Sequence, residues 1–434
     1  MAAPTSNHAN YQARLNFVED QLQKQFNLKG KTEITPIQYD PTTPFKYNNF
    51  VYRINSTEAI LVDVSNARQP GCVPIPHGTR ELIFRLANPD GVQRMSPATR
   101  IENEVAIIAL ASAALKHMHP RIVPSVYGWG SAALKLSPGW IIQELMPGTP
   151  VDESFDDMSL EQKRSILGQM GRILKSLQDY KLPASITGYG GVTFDEAGGK
   201  ISAAMTSVGA GPWDSYEASF EGRLRVALSK ADENPYIKGW RANGLRERLD
   251  VFVERGVPAL FKALGSISKD DRVIIHADFS ANNLLFDATT GRITALIDYD
   301  FACISHPSYE FLRSFDGTGG QFRGWIGDET TEDLFLREAK LRGFPVPLPP
   351  TTKHGIQWEV VAAWEEELEK LGVKRPKSMP GMEKVADVDT ILRSILPWRV
   401  SNSDALRLQS EAVIMRCRND NEKQLVRLLS RLGY

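Results

Sequence analysis

The sequence is poor in cysteine, with Cys72, Cys303 and Cys417 the only three among 434 residues. A scattered, odd-numbered set supports neither a disulfide framework nor a zinc site and fits a reducing compartment, where free Cys mostly serves as a small buried apolar residue. Long apolar runs are missing too. The longest, Ala106 to Leu115 with Ser112 inside it, is about half of what a membrane-spanning helix needs. Met1 to Asn10 is polar with no apolar core, so no secretory signal is legible. Neither charge is in excess: 51 Lys and Arg stand against 52 Asp and Glu, a formal net charge of -1, which argues for neither a nucleic-acid nor a membrane-surface partner. No His-Glu-x-x-His or similar ligand cluster occurs, and His306 and His354 are isolated, so a metal-dependent hydrolase has little support. The expectation is a soluble, cytoplasmic protein, its oligomeric state left open.

What is present begins with size. A chain of 434 residues exceeds what one hydrophobic core usually organises, so two lobes with a cleft between them are expected. Leu15, Val18, Leu22 and Phe26 recur at helical spacing, with Gly30 as a stop signal. Strand-like runs follow at Phe50 to Ile54, Ala59 to Val62 and Leu82 to Leu86, then a helical stripe of Val105, Ile108, Leu110 and Leu115 that should end near His117 to Pro120. Pro124 to Trp129 and Trp140 to Gln143 read as two more strands, and the connector Glu144 to Gly148 marks the boundary between lobes 1–145 and 146–434. Ser159 and Gln162 form a capping box ahead of a long helix ending before Pro183, Gly188 to Gly199 reads as a hairpin, and the chain after Trp325 is mostly helical.

Chemistry concentrates between Val273 and Asp300. Val273-Ile274-Ile275 reads as a buried strand, Leu284-Leu285-Phe286 as a second that is hairpin-like with it, and Ile293 to Ile297 as the next. On the loop and the strand end so defined lie His276, Asp278, Asn283 and Asp298. Phosphoryl transfer asks a protein to aim a hydroxyl at a γ-phosphate and to neutralise charge. Asp278 suits the first task as proton acceptor, while Asn283 and Asp298 offer the hard oxygens that Mg²⁺ prefers. His276 is grouped with Asp278 in the catalytic set, as the residue whose bonds to neighbouring backbone hold the loop. Asp300 is either a supporting carboxylate or a solvated one.

His276 to Asn283 as HADFSANN, with Leu296 to Asp300 as LIDYD, resembles the aminoglycoside phosphotransferase and choline kinase-like group, and looks closest to its fungal phosphotransferases. The likeness runs from Tyr47 to Tyr52 through Glu104 and Gln143-Glu144 to Glu310-Phe311-Leu312. It implies an α+β, bilobal, protein-kinase-like fold with a small β-rich N-lobe and a larger, mainly helical C-lobe. It further implies Asp278 as base, Asn283 and Asp298 as magnesium ligands, and the backbone of Gln143, Glu144 and Leu145 on the adenine edge of ATP. Arg85 falls where such enzymes carry a cation, commonly Lys, on the α- and β-phosphates, with Glu104 as its ion-pair partner. No Gly-x-Gly-x-x-Gly loop precedes it, so phosphate cradling would fall to Lys46 to Asn49.

The resulting expectation is an ATP- and Mg²⁺-dependent kinase acting on a hydroxyl of a small molecule. Asp298 is followed by Tyr299-Asp300 instead of Phe-Gly, and no Ala-Pro-Glu follows, which disfavours a protein kinase. The alternative is a nucleotide-binding scaffold or pseudokinase without turnover. Glu365-Glu366-Glu367 and Asp316 could meet a cationic amine, although a charge run is usually a solvated face.

Overall fold

Val18, Leu22 and Phe26 share one face of the helix Tyr11–Phe26, and that face is buried. The helix stops where Asn27 turns left-handed, its N–H returning to the Gln23 carbonyl, an arrangement that a short polar side chain tolerates. Gly30 lies outside the described residues, which in this computed structural model are 7–28, 32–60, 69–91, 95–133, 138–263, 271–323, 332–351 and 355–434.

The helix lies on a five-stranded antiparallel sheet of β1 (Thr32–Pro36), β2 (Asn49–Ser56), β3 (Glu81–Ala87), β4 (Val126–Gly130) and β5 (Trp140–Glu144), in the order β1-β2-β3-β5-β4. Alternation along the strands divides the work. Phe50, Tyr52, Ile54, Leu82, Phe84, Leu86, Trp140 and Ile142 pack on one face against Val18 and Leu22. Each such large apolar side chain contributes on the order of 2 kcal/mol on burial. Arg85, between Phe84 and Leu86, therefore projects from the other face. There the helix Pro97–Ala114, begun by a proline whose missing N–H costs nothing at that position, is buried on almost every side. It stops at Ala114, short of the expected His117 to Pro120, in a turn closed by the Met118 N–H on the Leu115 carbonyl.

After β5 the chain crosses to β6 (Thr149–Pro150), which pairs with β10 (Leu284–Asp287). Ser159 caps the helix Leu160–Asp179 through the expected capping box with Gln162. The hairpin β7 (Gly191–Phe194) and β8 (Lys200–Ala203) follows, then the helix Tyr216–Glu233. The remainder is mainly helical, including Trp358–Lys370 packed on Leu160–Asp179, Met382–Ile395, and Glu411–Leu432. The molecule is α+β, with a β-sheet N-terminal region and a helical C-terminal region. No described helix is long and apolar enough to cross a membrane.

The structure corrects several expectations. The strands flanking the motif, β9 (Val273–Ile275) and β10, do not form a hairpin: β9 pairs with β12 (Cys303–Ser305), whereas β10 pairs with β11 (Arg292–Leu296). Strand β12 is not legible in the sequence, because three residues carry no readable period. Nor is the edge strand β1, since Ile34 is its one large apolar residue. Ala59 and Ile60 are not in a strand, and Leu61 and Val62 lie outside the described residues.

Candidate active site

Strand β9 delivers the chain to His276 with its backbone already committed. The fully buried Glu310 carboxylate accepts the N–H of His276 at 2.7 Å and that of Ala277 at 2.8 Å. Ala277 sits at φ +63°, a left-handed conformation that an L-residue adopts only when its surroundings impose it. Burial pushes Glu310 upward, while bonds from Ser314, His276 and Ala277 favour its charged form. The imidazole of His276 is wholly buried, with Nε2 3.0 Å from the Ile297 carbonyl; Nδ1 has no partner. Burial drives this ring down to about 4, so it is a neutral strut that donates from Nε2 to the residue preceding Asp298.

Asp278 and Asn283 are in direct contact. Asn283 Nδ2 donates to the Asp278 carbonyl at 2.8 Å and to its Oδ2 at 2.9 Å. Both amide hydrogens are thereby used, and the Asn283 oxygen is left as an acceptor, met at 3.3 Å by Asn282 Nδ2. Burial, and then the nearby Asp298 carboxylate, push Asp278 up to about 7, with the bond from Asn283 pulling the other way.

Asp298 also has a left-handed backbone, φ +64°, which lifts its side chain off the end of β11. Arg85 reaches it from the sheet, Nη2 to Oδ1 at 2.6 Å, and bonds Glu104 through Nη1. Burial opposes charge on Arg85, but Glu104, Asp298 and Asp300 outweigh it and keep the guanidinium protonated. The two arms differ in exposure: the Glu104 side chain is 1% exposed and that of Asp298 40%. Glu104 is the fixed anchor, and the Asp298 end is the one that a ligand can reach.

Gln143, the penultimate residue of β5, has its side-chain oxygen buried and without a partner. Glu144 instead bonds Arg121, at 2.7 Å, and the Ser125 N–H, at 3.0 Å, and Leu145 is half-buried. Lys46 is engaged elsewhere, with Nζ 3.2 Å from Asp404. Burial pushes the Cys72 and Cys303 thiols up to about 12, which disfavours the thiolate at both.

The pattern that defines the phosphotransferase enzyme family, abbreviated APH, matches residues 75–344. The chain belongs to that family. Among solved structures this phosphotransferase is similar to a streptomycin-ATP-APH(2")-IIa ternary complex (13% identity, 95% of each chain covered, TM-score 0.51). It is also similar to ADP-bound APH(2'')-Ib (11% identity, 95% of this chain and 98% of the other, TM-score 0.49). A third is a thermostable APH(4)-Ia mutant with AMP-PNP and hygromycin B (15% identity, 96% and 98% coverage, TM-score 0.45). At 13% identity and a TM-score of 0.51, the first of these likenesses concerns the fold alone. No curated protein sequence matches.

Folding of the phosphotransferase adds residues that the sequence leaves open or hides. Asp300 is buried, not solvated. Arg100 Nε donates to its Oδ1 at 2.7 Å, and Asn49 Nδ2 to its Oδ2 at 3.1 Å. Burial opposes ionisation of Asp300, but Arg100 beside it holds the carboxyl below the usual range. This network ties the helix Pro97–Ala114 and the start of β2 to the segment carrying Asp298. Glu310 stands out in the sequence only as part of a family likeness, because its partners are backbone N–H groups that no side-chain pattern betrays.

Proposed function

We propose that this phosphotransferase is a kinase that transfers the γ-phosphate of ATP, with Mg²⁺, to a hydroxyl of a small molecule, in the cytoplasm. Residues 1–145 would form the nucleotide-binding lobe and 146–434 the catalytic and substrate-binding lobe. The observation that carries the reading is the convergence of Asp278, Asn283 and Asp298, the first two bonded at 2.9 Å and the third gripped by Arg85 of β3.

The donor set fits a hard divalent cation. Two carboxylates stand near enough for Asp298 to disfavour ionisation of Asp278, and the buried Asn283 oxygen, with both amide hydrogens engaged on Asp278, serves as an acceptor, met at 3.3 Å by Asn282 Nδ2. Among the described residues no three His, Cys, Asp or Glu side chains form a cage, so magnesium on Asn283 and Asp298 would take other ligands from phosphate and water, as that ion commonly does. When bound it would supply neutralisation of phosphate charge.

The remaining work falls to the chain. Asp278 Oδ2 is occupied by Asn283, which leaves Oδ1 to accept the proton of the acceptor hydroxyl and to aim its oxygen. Arg85, anchored by Glu104, offers its other arm to phosphate oxygens in exchange for Asp298. The unpartnered oxygen of Gln143 is an acceptor that the 6-amino group of adenine can satisfy, beside the backbone of Glu144 and Leu145. His276 holds the loop and does not enter the chemistry.

A scaffold that binds nucleotide without turnover is the second reading, favoured by the Arg85 bond that occupies one oxygen of Asp298. Labelled ATP and Mg²⁺ incubated with metabolite extract distinguish the two. A kinase yields a labelled product with wild type, and Asp278→Asn lowers its formation by about 10²-fold or more at little cost in nucleotide affinity. No product from wild type, despite a nucleotide-induced thermal shift that Asp298→Ala abolishes, selects the scaffold.

A further inference from the structure

Beside the loop lies a cavity of about 560 Å³ whose wall includes Ala277, the residue before Asp278, and Phe301, the residue after Asp300. None of Gln143, Glu144 and Leu145 lines it, so it is separate from the segment assigned to adenine, and Ala277, the neighbour of Asp278, is what joins it to the catalytic loop. Its volume lies within the range of small-molecule sites.

The charge of the wall is one-sided. Arg223, Lys230, Arg313 and Arg393 line the cavity, and among the described residues no Asp or Glu does. The three guanidiniums converge on a single buried carboxylate behind the wall: Asp389 accepts from Arg223 at 3.0 Å, from Arg313 at 2.8 Å and from Arg393 Nε at 2.9 Å. One negative charge thus serves three positive ones. Tyr309 lies between two of them, with the Arg223 and Arg313 guanidiniums 4.9 Å and 5.0 Å from its ring centroid, which fixes the cations without adding a second negative charge beside Asp389. The surplus is built in, because Arg223 is almost fully buried and cannot swing into solvent.

A wall of this kind penalises a cation and is relieved by an anion. Guanidinium forks match the two oxygens of a carboxylate or the three of a phosphate, and a partly desolvated setting strengthens the bonds. The acidic run Glu365-Glu366-Glu367 is committed elsewhere. Glu365 pairs with Arg375 at 3.2 Å, Glu366 with Arg164 at 2.6 Å and Glu367 with Lys370 at 2.7 Å, and none of the three lines the cavity.

We propose that the acceptor is a hydroxylated compound bearing an anionic group, carboxylate or phosphate, which docks on Arg313 and Arg393 and presents its hydroxyl to Asp278. The inference rests on the kinase reading for the fate of the hydroxyl, but the anion site can be tested without nucleotide. Calorimetric titration of the intact protein would use shikimate as a hydroxylated carboxylate, glucose 6-phosphate as a hydroxylated phosphate, glucose as the neutral comparison and kanamycin as the cation. Expected is binding of at least one of the two anions, weakened about tenfold by Arg393→Gln or Arg313→Gln and also by raising salt from about 50 to about 300 mM. The control Arg225→Gln, at an exposed residue paired with Glu221, should leave anion binding unchanged. Failure of both anions to bind, tighter binding of kanamycin or glucose, or indifference to both wall substitutions would overturn the proposal. Asp278-dependent phosphorylation of a neutral or cationic alcohol would keep the kinase reading and remove the anionic acceptor. Anion binding together with no labelled product from metabolite extract would remove the kinase reading and keep the anion site.

Discussion

At the scale of single residues, Arg85 and Glu104 show how a stability role and a ligand role can share one side chain. Glu104 is almost wholly enclosed and Arg85 is its cation, so deleting the guanidinium strands a buried carboxylate. Removing one partner of such a pair typically costs about 3–5 kcal/mol. Arg85→Ala should therefore unfold at clearly lower urea concentration than wild type, besides losing nucleotide affinity. Arg85→Lys keeps the charge but cannot span Glu104 and Asp298 with a planar fork, and most of the stability should return. Equal unfolding midpoints for Arg85→Ala and wild type would deny the pair any net contribution. Asp300 teaches the complementary lesson. Its sequence neighbours give no means of choosing between a solvated and a buried role, and the choice is made by Arg100, two hundred positions away.

At the scale of elements, the crossing from β5 to β6 is a tight joint. Gly148 sits at φ +112°, and an added Cβ would lie 2.7 Å from the Phe286 carbonyl oxygen and 2.5 Å from the Thr294 hydroxyl. Backbone cannot retreat from such a contact, so Gly148→Ala must displace β6 from β10 or distort the connector. Gly291, at φ +63° with open space within 4 Å of where a Cβ would stand, serves as the comparison, because alanine there bears only the left-handed penalty of about 1–2 kcal/mol. Thermal unfolding should rank Gly148→Ala below Gly291→Ala, and the first should also weaken ATP binding; the reverse order would show that the connector yields easily. Ser159→Ala, at the capping box of Leu160–Asp179, is expected to lower unfolding free energy by about 1 kcal/mol in urea titration.

At the scale of the whole molecule, pH acts through two buried imidazoles. His306, stacked on Tyr216 at 4.9 Å and bonded to Ser308 at 2.8 Å, is driven by burial down to about 4, as is His276. Unfolded, each protonates near its ordinary value of about 6.5. The contribution of each to stability is complete above that value, declines as pH falls from about 6.5 toward 4, and changes no further below. For His306 the loss between about pH 7.5 and pH 5 should be on the order of 1–2 kcal/mol. Urea titrations at the two pH values should show a smaller difference for His306→Gln than for wild type; an unchanged difference would mean that the ring already protonates in the native state. The two regions are also tied electrostatically, Arg100 to Asp300 and Lys46 to Asp404, so loosening one region should be felt in the other.

The sequence by itself determined what depends on neighbours along the chain. Helical stripes, the apolar runs of β2, β3 and β5, the Ser159 capping box and the HADFSANN and LIDYD segments are each written within a few residues of one another, so period and composition suffice to read them. Strands β1 and β12 are too short or too polar to have a period, and the partner of β9 is hidden because pairing is settled by packing between distant segments. Only the tertiary structure decided that Arg85 meets Asp298, that Glu310 holds the loop through backbone N–H groups, and that three arginines share Asp389. Those are contacts between segments far apart in sequence, where the energy of burying a charge depends on what the fold sets against it.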